Sequence, residues 1–218
     1  APQPQQTAMM LIDAFQPEGF TVLAKDSIFM MPHLGVLSQV HSQAAMDVFQ
    51  KDCLKILGTV VAPKGEDKLG KPCFNYSIDG EGIQQNGEMK VGDLTNIKLP
   101  HDREVEITIR PSGKFDMGAG IGKTVSKEIK GGIVGIILDA RCRPIYFSKN
   151  SDSNKNAVKS WVNAMDLYPT IDLEDAKTDS VDQSQSSKTA HAYTPGLEVN
   201  PHKTHAVQRI LPVKGEVL

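Results

Sequence analysis

The chain has 218 residues, 39% of them hydrophobic and 23% charged, which is the composition of one or two ordinary globular domains. The 26 acidic and 24 basic residues leave a formal net charge of -2, so we expect neither a nucleic acid nor an anionic membrane as a partner. The longest uncharged apolar run, Gly131 to Leu138, is far shorter than the ~20 residues that cross a bilayer, and residues 1–6 lack the features of a signal peptide. We therefore expect a cytoplasmic protein that makes no membrane contact.

The first 54 residues carry helical patterns around one strand. An apolar stripe with helical spacing predicts a helix over residues 4–15. Ser42, an N-cap residue type, predicts the start of another helix that ends before Gly58. Between these helices we expect a strand over Phe20–Ala24 and a short helix over Pro32–Val40.

From Thr59 the hydrophobic period changes from 3.6 to 2, which predicts a small antiparallel β-barrel or sandwich over about residues 56–148. Apolar and polar residues alternate along Arg103–Arg110, as in a strand with one buried face. Ile133–Leu138 does not alternate, so we expect it to be buried on both faces. The other predicted strands are Thr59–Ala62, Cys73–Ile78, Gly87–Val91, Asn96–Leu99, Val125–Lys130 and Ile145–Phe147.

The C-terminal third changes from helix to polar sequence. Ser151, Asp152 and Ser153 are predicted to cap a helix that ends at Pro169, and Trp161 is predicted to dock this helix on the β-domain. A polar tract over 174–195 has almost nothing to bury, and we expect it to lie against its own barrel or a neighbouring subunit. The fold class is thus α+β, with predicted divisions at 1–54, 55–148, 149–169, 170–204 and 205–218, the last opening a further β module.

The three cysteines, Cys53, Cys73 and Cys142, are odd in number and far apart, so we expect reduced, buried thiols rather than disulfides or a zinc site. The chain begins at Ala1 without a methionine and ends at Leu218 inside a predicted strand. We therefore expect a fragment of a longer protein.

The most notable polar cluster is the turn that carries Asp139, Arg141 and Arg143. A carboxylate between two guanidinium groups fixes a turn by bidentate hydrogen bonding, whereas arginines left free would contact an anion or a protein. Two residues of the second helix are also candidates for interaction. We expect His33 to be a half-buried packing residue and Gly35 to allow close approach of a neighbouring backbone.

Gly118–Thr124 is similar to a phosphate-binding loop only in part. Such a loop needs a glycine five positions before its Gly-Lys-Thr glycine and a helix after it, but this chain has Met117 and then a predicted strand. We expect a glycine-rich β-turn. His202 and His205 are expected to be exposed rather than metal ligands, because no helix brings them together.

Four stretches of the chain carry a likeness to a known family: Leu11–Gly19, Met31–Leu37, Leu57–Pro63, and Phe115–Gly118 continuing to Gly131–Pro144. In order and spacing they resemble the C-terminal part of the glutamate mutase L family, a MutL-type accessory family, over most of residues 8–168. One departure is Cys142, where the family pattern has glycine. A glycine there suggests a positive φ, which costs about 1 kcal/mol or more for a residue with a Cβ, so we expect a strained or reshaped turn.

The resemblance implies that residues 1 to about 41 are the end of an actin-like ATPase domain. ATP and magnesium would then bind an upstream region, and this chain would hold no cofactor, metal or catalytic residue of its own. The resemblance also implies association with cobalamin-dependent carbon-skeleton mutases as an accessory or reactivation factor.

Three functional hypotheses follow, all of them compatible with the turn-rich, motif-poor sequence. The first is a non-catalytic, chaperone-like accessory region that binds a protein partner. The second is a structural β-domain that self-assembles as a homo-oligomer within a larger complex. The third is a barrel that binds a small ligand such as a corrinoid.

Overall fold

The computed structural model describes residues 3–80, 82–145, 147–148 and 150–168. Their helices are α1 (Pro4–Phe15), α2 (Met31–Ser38), α3 (Ser42–Val48), a π-helical turn (Phe49–Cys53) and α4 (Ser151–Ala164). Their strands are β1 (Gly19–Asp26), β2 (Leu54–Ala62), β3 (Pro72–Gly80), β4 (Ile83–Lys90), β5 (Leu94–Ile97), β6 (Glu104–Pro111), β7 (Val125–Lys130) and β8 (Gly135–Asp139). The protein is therefore mixed α+β, as the sequence predicts.

The first sheet has the strand order β1-β2-β8-β5. Its β1–β2 and β5–β8 pairs are antiparallel, and its central β2–β8 pair is parallel. All five residues of β8 are buried, which confirms the prediction for the part of Ile133–Leu138 that lies in the strand. Ile133, ahead of the strand, is 51% exposed, so the prediction is wrong for that residue. β1 and β2 pair along their whole length, so the predicted division at residue 54 falls between two neighbours in one sheet.

The second sheet has the order β4-β3-β6-β7 and is antiparallel throughout. Along β6, Val105, Ile107 and Ile109 are buried while Glu104, Glu106 and Arg110 are exposed, as the alternating sequence predicts. In the strand order of this sheet, β4 and β7 are the two edge strands.

The two sheets share one hydrophobic core. Ile136 and Leu138 of β8 lie in the same buried cluster as Phe74 of β3 and Ile107 of β6. The described strands form two separate sheets with free edges, so the prediction of a barrel or sandwich is confirmed only as two mainly antiparallel sheets, and no closed barrel forms among the described residues. Two twisted sheets bury their facing side chains without closing when no strand continues from one sheet to the other.

Two helices cover the other face of the first sheet. Ile12 of α1 and Trp161 of α4 belong to a second buried cluster with Leu57 and Ile137. The indole Nε1 of Trp161 donates to the carbonyl oxygen of Gly92 at 2.7 Å. The predicted docking role of Trp161 is thus confirmed, and β2 and β8 are covered on both faces.

Several predicted boundaries need correction. β2 begins at Leu54 rather than Thr59, because the π-helical turn delivers the chain directly into the strand. Asn150, not the serines after it, caps α4, since its side chain accepts hydrogen bonds from the backbone amides of Asp152 and Ser153. Ser42 is the first residue of α3 rather than its cap. The described residues of the predicted strand Ile145–Phe147 form no strand.

The polar tract over 174–195, and the predicted linker and β module over 170–204 and 205–218, lie outside the described residues. His202 and His205 lie outside them too. Among the helices that the structure describes, none is both long and apolar enough to cross a membrane.

Candidate functional site

Asp139 is the centre of the predicted polar cluster, at the end of β8. Its side chain is fully buried, and its Oδ1 accepts hydrogen bonds from the backbone amide and the Nε of Arg141, both at 3.0 Å. Its Oδ2 accepts from Nη2 of Arg141 and from Nη2 of Arg143, both at 2.9 Å. The cluster therefore contains the bidentate arrangement that fixes the turn.

Both arginines also reach other elements. Nε of Arg143 donates to the carbonyl oxygen of Pro17 at 2.9 Å, just after α1. Nη2 of Arg141 lies 2.9 Å from Oδ1 of Asp13 on α1, and its guanidinium carbon lies 4.9 Å from the ring centroid of Trp161 on α4. The turn thereby ties both covering helices to the first sheet.

The charges of this cluster compensate each other. Burial opposes ionisation of Asp139, but the hydrogen bonds and charges of Arg141 and Arg143 outweigh it, so the pKa of this carboxyl lies below its usual value. Burial likewise opposes protonation of Arg141, while Asp139 and Asp13 raise its pKa. Both arginine side chains are only 2% exposed and face carboxylates or carbonyl oxygens. This geometry favours a turn-fixing role over an anion site.

The glycine-rich segment is a loop that leads directly into β7, as predicted. Its backbone amides already have an anionic partner, because Oδ1 of Asp116 accepts from the amides of Gly118 and Gly120 at 2.7 and 2.8 Å. No helix begins within this described segment. The loop is therefore ordered by a carboxylate of its own chain.

The predictions for His33 and Gly35 are wrong in detail. Both residues are exposed, and a Cβ added to Gly35 would meet nothing within 4 Å. The reason is that α2 packs its buried side against α3 only through Leu34, which leaves the rest of α2 uncovered. Within the described ranges, no group of three or more His, Cys, Asp or Glu side chains is arranged to hold a metal ion.

The three cysteines are buried and free, as predicted. Burial raises the pKa of Cys73 and of Cys142, which disfavours their thiolate forms. Cys142 has a φ of +70°. The positive φ expected at this position is therefore present, in a residue with a Cβ.

A surface that the sequence did not single out lies on residues 26–53, which we call the apolar lobe. Its buried core contains only Leu34, Ala45 and Cys53. Around this core, seven large apolar side chains are between 37% and 80% exposed: Ile28, Phe29, Met31, Val36, Leu37, Val40 and Met46. Exposed apolar surface of this kind is a candidate interaction site.

The tip of the apolar lobe holds an aromatic side chain outward. Phe29 is 80% exposed and has a φ of +57°, an unfavourable conformation for a bulky residue. Oδ1 of Asp26 accepts from the amides of Ile28 and Phe29 at 3.1 and 3.0 Å. Ser27 is tied to the π-helical turn, because its Oγ donates to the carbonyl oxygen of Cys53 at 2.9 Å. The loop therefore has the hydrogen bonds to hold this conformation.

One feature of the sequence indicates the apolar lobe. α2 carries apolar residues on all sides, and such a helix is normally buried. The local pattern predicted the helix but not that only Leu34 would be covered.

No family model, no curated protein and no solved structure matches the chain. The fold and the site describe a mixed α+β protein with two notable features. One is a buried charge cluster whose members are all hydrogen-bonded, and the other is an exposed apolar lobe. Its function has to be inferred from these features.

Proposed function

We propose that the chain is a non-catalytic protein-binding module and that the apolar lobe is its binding surface. The observation that carries this proposal is the exposure of seven large apolar side chains around α2 and α3. Covering such side chains with a partner removes their apolar surface from water, at roughly 25 cal/mol per Å². Methionines at positions 31 and 46 add flexible surface that adapts to a partner.

The resemblance to the glutamate mutase L family supports a more specific proposal. We propose a cobalamin-dependent mutase as the partner and an accessory, chaperone-like role for the whole protein. The two sheets, packed as a sandwich, would then be a rigid base that presents the apolar lobe.

The test is binding of the purified chain to a cobalamin-dependent carbon-skeleton mutase, with matched variants. Val36 and Val40 are 68% and 76% exposed, so replacing both with aspartate should abolish binding without unfolding the chain. Ile121 is also 68% exposed but lies in the glycine-rich loop, so Ile121→Asp is the matched control and should bind normally. Equal binding by both variants would contradict the proposal.

The same preparation separates the two other hypotheses. Sedimentation of the chain alone would reveal a homo-oligomer, which should dissociate in the Val36→Asp/Val40→Asp variant if the apolar lobe binds a second copy. A visible absorption spectrum after incubation with a corrinoid would detect a small-ligand site. If the Val36→Asp/Val40→Asp variant binds a corrinoid as well as the wild-type chain does, the main function would be small-ligand binding at a site outside the apolar lobe.

A further inference from the structure

A groove of about 830 Å³ opens between β1, an edge strand of the first sheet, and β7, an edge strand of the second. Its apolar lining includes Phe20 and Val22 of β1, Ile56 of β2, and Ile129 and Ile133. Val22 and Ile133 are 59% and 51% exposed. The groove adjoins the apolar lobe in sequence, because Leu54 and Lys55 of its lining directly follow residue 53. None of the seven exposed side chains that carry the proposed function lines the groove.

The groove has the shape left by a missing strand. Phe20 pairs with Val61, and Val61 lies in the core shared by both sheets. Directly paired residues of antiparallel strands point to the same face, so Phe20 also faces the second sheet. That sheet ends at β7, and no described strand continues it over β1.

β7 offers a free backbone edge at this position. It pairs with β6 on one side, and on the other side no described strand pairs with it. Only at its end is an acceptor already used, because the carbonyl oxygen of Lys130 accepts a hydrogen bond from Oγ1 of Thr59 at 3.1 Å. Such an edge is a template for an added strand. A strand hydrogen-bonded to β7 would lie about 4.8 Å further out, over the exposed side chains of β1.

Lys127 supplies a charge at the centre of the groove. It pairs with Ile107, which is fully buried, so its side chain leaves β7 on the inner face. Its Nζ lies 5.7 Å from the centroid of the Phe20 ring, within the range of a cation–π contact. Inward-pointing lysines on edge strands discourage unspecific pairing, and an acidic side chain would remove that obstacle.

The other charges near Lys127 do not remove the preference of the groove for an acidic side chain. Lys130 also lines the groove, but its Nζ lies 2.8 Å from Oε1 of Glu104, which balances its charge. Glu128 also lines the groove, but it follows Lys127 on β7 and its side chain therefore leaves the strand on the opposite face. Lys55, a second exposed cation in the lining, adds to the positive side.

We propose that this groove accepts one extended segment of a partner protein, which pairs with β7 and places an acidic side chain, flanked by two apolar ones, against Lys127. This proposal rests on the proposed function in one respect: both assume that the chain binds another protein. Main-chain hydrogen bonds give such a complex its affinity, and the alternate side chains give it specificity. The acidic residue is the specificity element here.

The test uses a synthetic seven-residue peptide with valine, glutamate and valine at its second, fourth and sixth positions and threonine elsewhere. This pattern is symmetric, so it presents the same inner face in either strand direction. A second peptide has lysine in place of glutamate. Binding to the 218-residue chain is measured by fluorescence anisotropy, and hydrogen exchange reports on the amides of residues 125–130.

Charge reversal provides the matched variants. Lys127→Glu should weaken binding of the glutamate peptide about tenfold and strengthen binding of the lysine peptide by a similar factor. Lys90→Glu makes the same charge change on β4, at the opposite edge of the same sheet, and should leave both affinities unchanged. Protection of the β7 amides by the glutamate peptide is also expected.

Three outcomes would overturn the proposal: no binding of the glutamate peptide, equal loss of its binding in both variants, or binding without protection of β7. A dimer of the chain that disappears in Lys127→Glu, without peptide binding, would assign the groove to a second copy instead. The Val36→Asp/Val40→Asp variant should bind the peptide normally. Failure at the apolar lobe and failure at the groove are therefore distinguishable.

Discussion

Arg141 holds the carboxylate of Asp139 by two parallel hydrogen bonds, from Nε to Oδ1 at 3.0 Å and from Nη2 to Oδ2 at 2.9 Å. The pair is buried beneath the indole ring of Trp161, which the guanidinium group contacts. The contact joins the end of β8 to α4, while Asp13 extends it to α1. A two-residue pair thus fixes the position of both covering helices.

Removing the carboxylate should destabilise the fold strongly. We expect Asp139→Ala to lower the free energy of unfolding by about 3–5 kcal/mol, because the buried guanidinium of Arg143 loses its carboxylate and that of Arg141 keeps only the half-exposed Asp13. Asp102→Ala is the control, since the Asp102 side chain is 71% exposed and should contribute little. Urea unfolding of the three proteins measures the difference, and an unchanged midpoint for Asp139→Ala would refute the structural role.

The same carboxyl should make stability depend on acid pH. Its pKa is lowered in the folded state, so its contribution is complete above the unfolded pKa of about 3.9 and is lost as the pH falls through the folded pKa. The wild-type protein should therefore lose more stability than Asp139→Asn between about pH 5 and about pH 2. Urea unfolding at a series of pH values tests this, and a constant difference between the two proteins would contradict it.

Gly135 and Gly35 should respond oppositely to alanine. Gly135 has a φ of +112°, and a Cβ there would collide with the carbonyl oxygen of Ile97, so Gly135→Ala should cost at least about 2 kcal/mol. Gly35 lies in α2 with open space around it, so Gly35→Ala should stabilise the fold by about 0.5–1 kcal/mol. Thermal unfolding measures the stability of the two variants. Equal effects would show that the carbonyl oxygen of Ile97 does not approach Gly135 closely.

Cys142 allows backbone strain to be separated from side-chain burial. Cys142→Ala removes the buried sulfur but keeps the Cβ at a φ of +70°, whereas Cys142→Gly removes both. We expect the glycine variant to be more stable than the alanine variant by about 1 kcal/mol, because glycine carries no penalty at this φ. The reverse order in denaturant unfolding would show that the turn is unstrained.

The sequence predicted the elements better than their assembly. The alternation along β6 and the apolar run that forms β8 depend on local burial, and both predictions are confirmed within the strands, although Ile133 at the start of the run is exposed. The pairing of β1 with β2 and the separation into two sheets depend on contacts between distant segments. Periodicity identifies a strand but not its neighbour, so the sequence left the choice between a barrel and a sandwich open.

The candidate sites also divide into those that are local in sequence and those that depend on how distant segments pack. The Asp139 turn is local in sequence, and its bidentate hydrogen bonding could be anticipated from residue types. The groove requires β1 and β7 to be edge strands of facing sheets, which no local pattern specifies. The apolar lobe has an apolar sequence, but whether α2 is covered depends on packing.

The most direct test of the proposed protein-binding function is a hydrogen-exchange footprint of the chain, free and bound to the proposed mutase partner. Slowed exchange confined mainly to residues 28–46 is the predicted result, because the exposed apolar side chains of that segment would be covered. Unchanged exchange over this segment in a saturated complex, with protection elsewhere, would contradict the claim that the apolar lobe is the binding surface.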